Sequence, residues 1–512
     1  MTAALWRNGM DSFDFIVIGS GPAGRRAAVQ AAKLRHSVLV IEGRTQVGGV
    51  SVHTGTIPSK TLRETALNLS GWRERGFYGR GYRVKQDIDG QDLGIRLTKT
   101  LEHEVEVLEH QFQRNMVRTI AGTARFLDPH RLAIRCRDDS ETIVSGERIL
   151  IAVGTVPCRP DSVPFDERNV LDSDSLIRAP RVPRSLTVIG AGVIGIEYAT
   201  IFSALDVPVT LIEPRASFLD FVDREIIAEF THVLRDRGVS IHLGSPVKSI
   251  ELDAEEWAVT TLENGRRFRT DMLLYAAGRS GATGELCLDK CGLSADPRGR
   301  IEVDPQTCQT AVPHIYAAGD VIGFPSLAST SMEQGRIAAC HAFGLPIPPT
   351  PQSFPYGIYA VPEISTVGMT EEEAQAHGIA YECGIARFRE TSRGHIMGLD
   401  GGMMKMLFSL ETRRLLGVHI IGEGATELIH IGQAVLNLKG TLDYFIENTF
   451  NYPTLAEAYK VAALDAWNRM ASFAPPQAVQ RVAGMGEIVP LPGAGPVAAS
   501  NDAVPLRVRR TA

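Results

Sequence analysis

Two glycine-rich turns carry residue types suited to holding dinucleotides. The first, Gly19-Ser20-Gly21-Pro22-Ala23-Gly24, follows the apolar run at 13–18; the second, Gly190-Ala191-Gly192-Val193-Ile194-Gly195, follows the run at 186–189. Each leads to a second apolar stretch that ends in an acid, Glu42 and Glu213, 18 residues past the third glycine in both units. The first glycine permits a tight turn, the second lets backbone approach a pyrophosphate, and the third lets the helix pack on its strand. The helix that follows aims free N–H groups and the positive end of its dipole at phosphates. Pro22 fits the first helical position, where no donor is lost. The acid can accept hydrogen bonds from ribose hydroxyls. A single such turn is weak evidence, but two complete units at one spacing predict that the chain holds two dinucleotides.

The elements needed to position these turns are alternating strands and helices, hence an α/β fold with two Rossmann-like dinucleotide-binding domains. At 512 residues, two to four domains are expected. The net charge of −6 and the lack of a basic block exclude a nucleic-acid partner. No apolar run approaches the ~18 residues of a membrane span, so no membrane association is expected. The first twelve residues hold no apolar signal core, which makes the cytoplasm the expected compartment. The seven cysteines are scattered without CxxC or metal-ligand spacing, so neither a disulfide framework nor a metal site is expected.

After Glu42 the chain reads Gly43-Arg44-Thr45-Gln46-Val47-Gly48-Gly49-Val50-Ser51, then Thr56-Ile57-Pro58-Ser59-Lys60. This stretch resembles the flavin-proximal motif of the FAD-dependent pyridine nucleotide–disulfide oxidoreductases, GG-x-C-x4-C-x-P-S-K. The resemblance runs from about residue 13 to 470. Gly122-Thr123-Ala124-Arg125 resembles the family's G-x-A-R loop near adenine, and the stretch ending at Gly154 resembles the close of the first FAD segment. Ala276-Ala277-Gly278-Arg279 resembles the end of the nicotinamide domain. Tyr316-Ala317-Ala318-Gly319-Asp320 resembles the second FAD motif, whose aspartate bonds the ribityl chain. The resemblance implies an FAD site made by the first turn, Glu42 to Ser51, Thr56, Gly122, Ala124, Gly154, Asp320 and Ala328. A nicotinamide site is implied at the second turn, Glu213, Arg215 and Gly278.

Two departures from that pattern narrow the chemistry. Ser51 and Thr56 occupy both positions of the family's redox cysteines. Tyr452 occupies the histidine position of H-x-H-P-T-x-x-E, while its acid remains as Glu457. A phenol is a poor proton shuttle at neutral pH. The nucleophile pair and its general base are lost together, which suits a reaction that needs neither. Electrons from a reduced nicotinamide must then pass from the flavin to a second acceptor. The stretches beginning at Thr54, Val361 and Phe450 resemble the soluble, energy-independent pyridine nucleotide transhydrogenases, a branch whose acceptor is a second nicotinamide. The family also implies an ion pair between Lys60 and Glu197 beside the flavin.

The nucleotide preference stays open between NAD and NADP. Glu213 favours a free 2′-hydroxyl, whereas Arg215 could meet a 2′-phosphate or simply face water. The motifs organise the chain into an FAD domain at 1–155 and 282–345, a nicotinamide domain at 156–281, and an α+β dimerisation domain at 346–470. The last of these holds strands at 405–408 and 415–421 and a final helix whose apolar stripe begins at Leu455. Residues 471–512, rich in Ala, Pro, Gly and Val, are expected to be a disordered tail. Three functions fit: FAD-dependent hydride transfer between NADPH and NAD, within a homodimer; an NAD(P)H dehydrogenase reducing a quinone or other small acceptor; and a redox-silent protein keeping FAD for structure.

Overall fold

The computed structural model describes residues 11–178, 181–347 and 353–473. The expected tail lies outside them from residue 474 onward, and so do residues 1–10. Among the described residues, no helix is long and apolar enough to cross a membrane.

The first turn belongs to a six-stranded sheet. Its parallel part runs in the order Arg118–Phe126, Val38–Glu42, Asp11–Ile18, Glu141–Ile151 and Ile315–Ala317. Strand Arg131–Cys136 joins Arg118–Phe126 to the first half of Glu141–Ile151 by antiparallel pairing. Every residue of Val38–Glu42 is buried, as a parallel strand covered on both faces requires. Helix Pro22–Lys33 buries Ala23, Ala27, Ala28 and Ala31 on one side. There it meets helix Ala328–Ala342 so closely that a Cβ on Gly335 would lie 2.1 Å from the Ala23 carbonyl oxygen.

The second turn repeats the plan. Five parallel strands follow in the order Ser240–His242, Val209–Ile212, Leu186–Ile189, Met272–Tyr275 and Val170–Leu171. Helix Val193–Ala204 starts at the end of the central strand, as Pro22–Lys33 does in the first sheet. The chain crosses between the two units on strands Thr155–Pro157 and Arg279–Gly281, which pair with each other.

A third, antiparallel sheet contains Tyr356–Ile358, Ile364–Gly368, Leu415–Ile421, Met403–Ser409 and Tyr381–Arg387. Helices Ala425–Asn437 and Glu457–Phe473 share its core with Phe408, Phe445 and Tyr459. The final helix starts at Glu457, two residues beyond Leu455; Leu455 packs on the core from the preceding turn. The fold is α/β with two Rossmann-like units and a C-terminal α+β unit.

Candidate active site

The two glycine turns are built alike. Gly19 and Gly190 have φ of +105° and +98°, a region that L side chains rarely adopt. A Cβ on Gly24 would stand 1.9 Å from the Gly19 carbonyl oxygen, and one on Gly195 would stand 1.9 Å from that of Gly190. Close packing therefore dictates the first and third glycines. The middle glycines differ: a Cβ on Gly21 or Gly192 would meet nothing within 4 Å. They face open space at helix N-termini that no side chain caps, which leaves N–H groups free for an anionic ligand.

Each acid organises its turn. Glu42 Oε2 accepts from Ser20 N at 3.0 Å and also from the Ser20 hydroxyl, while Oε1 accepts from Arg44 N at 2.9 Å. Glu213 does the same with Ala191 N at 2.8 Å and Arg215 N at 3.1 Å. Ser20 was not foreseen as a site residue. Its hydroxyl also accepts from Gly48 N at 2.7 Å, tying the first turn to the glycine pair that follows.

A cleft of about 650 Å³ opens in front of the first turn. Gly19, Gly21, Glu42, Gly43 and Arg44 form one end; Gly49, Val50, Ser51 and Thr56 line a flank; Gly122, Ala124, Gly154, Asp320 and Ala328 complete it. Gly24 lies beneath the turn, and Gly48 has turned its N–H to Ser20. Thr45, Gln46 and Val47 line a smaller adjoining cavity of about 270 Å³ with Glu42 and Arg44. Burial pushes the Asp320 carboxyl above its ordinary range, with Arg279 and Ser331 pulling the other way. Positions Gly43 and Gly154, like Gly21, would carry a Cβ into open space. This shape, with backbone donors at one end and glycines clearing its walls, fits an extended dinucleotide.

At the second turn, Arg215 neither faces only water nor stands free. Its Nε lies 2.9 Å from Glu213 Oε1 and its Nη2 3.2 Å from Oε2. Burial pushes the Glu213 carboxyl up, but Arg215 and the two backbone donors more than offset this and hold it below the ordinary range. Gly278, with φ of +135°, precedes Arg279 on the crossing strand.

Lys60 and Glu197, 137 residues apart, meet with Nζ at 2.8 and 2.6 Å from the two carboxylate oxygens. Sequence reasoning missed the third member of this group, Tyr359, from the C-terminal unit. Its backbone N–H donates to Glu197 Oε1 at 3.0 Å, and its ring centroid lies 4.8 Å from Lys60 Nζ. No short motif around Tyr359 signals this, because the contact comes from another unit. Neither Tyr452 nor Glu457 is a partner of that pair within this chain. Tyr452 is 72% exposed with its hydroxyl on Ser392. The Oε1 atom of Glu457 is buried without a hydrogen-bond partner among the described residues. All seven cysteines are free, and none lines the cleft.

Two dinucleotide-type turns in one chain, with a lysine–glutamate pair joining their units, mark a class of protein. Residues 13–335 match the pyridine nucleotide–disulphide oxidoreductases, and residues 354–463 match the dimerisation domain of the same proteins. The chain belongs to this family: it is a flavoprotein oxidoreductase whose cofactors are FAD and a nicotinamide nucleotide. Among its relatives is the soluble pyridine nucleotide transhydrogenase of Mycobacterium bovis (strain BCG / Pasteur 1173P2), 49% identical over 90% of this chain and 98% of the relative. The protein of that name from Colwellia psychrerythraea is 41% identical over the same shares. Among solved structures, LpdA from Mycobacterium tuberculosis superposes with a TM-score of 0.80 at 25% identity, over 88% of this chain and 99% of that one. The HOCl-induced flavoprotein disulfide reductase RclA from Escherichia coli gives 0.79 at 27%, over the same shares.

Proposed function

We propose that this enzyme catalyses NADPH + NAD+ ⇌ NADP+ + NADH, one hydride passing from nucleotide to nucleotide without a protein disulfide. The observation that carries this reading is the cleft flank itself, where Ser51 and Thr56 stand and no sulfur is among the lining residues. The names of the relatives at 49% and 41% identity support it. When bound, FAD supplies a ring that accepts a hydride from one nicotinamide and returns it to another.

The chain's own residues bind and orient. The first turn and its helix would hold the FAD phosphates; Glu42, which fixes the turn, would accept from the ribose, and Asp320 would hold the ribityl chain. The Lys60–Glu197 pair, tied to the Tyr359 N–H, would keep a positive charge oriented near the flavin ring, as the family resemblance implies. Glu213 and Arg215 offer the second site an acceptor for a 2′-hydroxyl and a donor for a 2′-phosphate. Tyr452 stands where the family's general base would be, and a reaction whose only transfer is hydride needs no such base. In this reading residues 1–155 with 282–345 hold FAD and residues 156–281 hold the nicotinamide nucleotide. Residues 346–470 pair two copies in a homodimer, and the enzyme works in the cytoplasm.

The test is purified holoenzyme given NADPH and a spectroscopically distinct NAD+ analogue, with a quinone in parallel. Reduction of the analogue supports the proposal. Quinone reduction without analogue reduction would replace it with the NAD(P)H dehydrogenase reading.

A further inference from the structure

In the family motif the stretch 51–56 carries two cysteines, so a crosslink would span it; here nothing covalent does. The turn is closed locally by Thr54 N and Gly55 N on the Val50 carbonyl at 3.0 and 2.7 Å, and by Ser51 Oγ on Gly48 O at 3.1 Å. Among the described residues, the side-chain hydrogen bond that ties this stretch to another unit is that of Thr54. Its hydroxyl donates to Asp174 Oδ2 at 3.0 Å, 120 residues away on the short helix Ser173–Arg178. The other oxygen, Oδ1, accepts from Arg279 Nη1 at 2.9 Å. Arg279 in turn donates to Thr155 twice, at 2.9 and 2.8 Å. Thr155 and Arg279 begin the two strands on which the chain crosses between the dinucleotide units. Thr54 and Asp174 are both buried, where a hydrogen bond to a charged group is strong and its loss is felt.

We propose that Asp174 is a positioning residue for the hydride step. Gripped by Thr54 on one oxygen and Arg279 on the other, it keeps the flank bearing Ser51 and Thr56 in register with the nicotinamide unit, the role that a crosslink would otherwise share. This rests on the reading that a nicotinamide docks against that cleft. Hydride transfer is steeply sensitive to displacement of the reacting atoms, so a slackened flank costs rate rather than affinity.

The test compares holoenzymes carrying Thr54→Val, Thr54→Ser and Asp174→Asn. Anaerobic flavin reduction is followed by stopped flow with whichever of NADPH and NADH reduces the wild type faster. Thr54→Val keeps the side-chain shape and removes only the hydroxyl. Its limiting reduction rate should fall about tenfold while nucleotide binding stays within roughly twofold and FAD is retained. Thr54→Ser should restore the rate, and Asp174→Asn should follow Thr54→Val. A wild-type rate in Thr54→Val, a Thr54→Ser enzyme as slow as Thr54→Val, or a loss confined to nucleotide binding would overturn the proposal. If Asp174→Asn does not fold, the Thr54 pair decides alone. Failure of the wild type to reduce an NAD+ analogue would instead strike the proposed function and leave this half-reaction comparison standing.

Discussion

Replacing Lys60 with methionine should slow flavin reduction by about two orders of magnitude. Lys60 Nζ makes two charge-assisted contacts, 2.8 and 2.6 Å, to a glutamate whose side chain is only 5% exposed. Methionine fills similar space and leaves Glu197 with the Tyr359 N–H as its remaining donor. Orphaning one member of a buried pair costs ~3–5 kcal/mol. Lys60 is 26% exposed, so water offsets part of that loss and ~3 kcal/mol is the appropriate end of the range. Only the part of the interaction that strengthens in the transition state slows the step; at ~1.4 kcal/mol per factor of ten, loss of ~3 kcal/mol of it gives ~10². Glu197→Gln, whose amide oxygen can still accept from Lys60 and Tyr359, should lose about tenfold. The double variant should lose less than the two single losses combined, because both changes act on the same contact. Tyr452→Phe removes only a bond to Ser392 at the exposed surface and should stay within roughly twofold. The assay is anaerobic stopped-flow bleaching of the flavin band, with FAD content and thermal melting as controls. An unchanged rate in Lys60→Met, together with abolition in Tyr452→Phe, would reverse the assigned roles.

Reductive titration should consume two electrons per subunit and give no thiolate-to-flavin charge-transfer band. Burial pushes Cys291 up to about 11 and Cys308 and Cys383 up to about 12, so these thiols stay neutral; uptake of four electrons would reveal a redox pair after all. Initial rates at several fixed acceptor concentrations should give parallel double-reciprocal lines, because one nicotinamide turn offers one docking pose. Intersecting lines that persist once substrate inhibition is allowed for would mean a second pocket. Arg215→Ala should lower kcat/KM for NADPH about tenfold more than for NADH, the size of a lost charge-assisted contact; equal losses would show that Arg215 only supports Glu213. Because Glu213 is held below the ordinary carboxylate range, it stays ionised throughout neutral and mildly acidic solution. Its acceptor role is lost only as pH falls through that lowered value, so the KM for NADH should be flat from roughly pH 5.5 upward, and a step near neutrality would contradict this.

What the sequence by itself determined is what short-range sterics demand. Gly19 and Gly190 must adopt positive φ, and Gly24 and Gly195 must leave room for a carbonyl five residues back, so glycine stands at each and the turns are legible as a pattern. The serine and threonine at 51 and 56 were equally plain, since the lack of sulfur needs no folding to see. The Lys60–Glu197 pair was reached only through the family motif, because nothing local links residues 137 apart. Tertiary structure alone decided the rest. Arg215 could meet a 2′-phosphate or face water, and the structure puts its guanidinium on both Glu213 oxygens. Tyr359 joined the charge pair, and Asp174 joined Thr54, because the packing of separate units brought them within reach. A hydrogen bond across 120 residues leaves no trace in spacing: its geometry is set by how whole sheets and helices dock, whereas a glycine turn is set by atoms only a few bonds away.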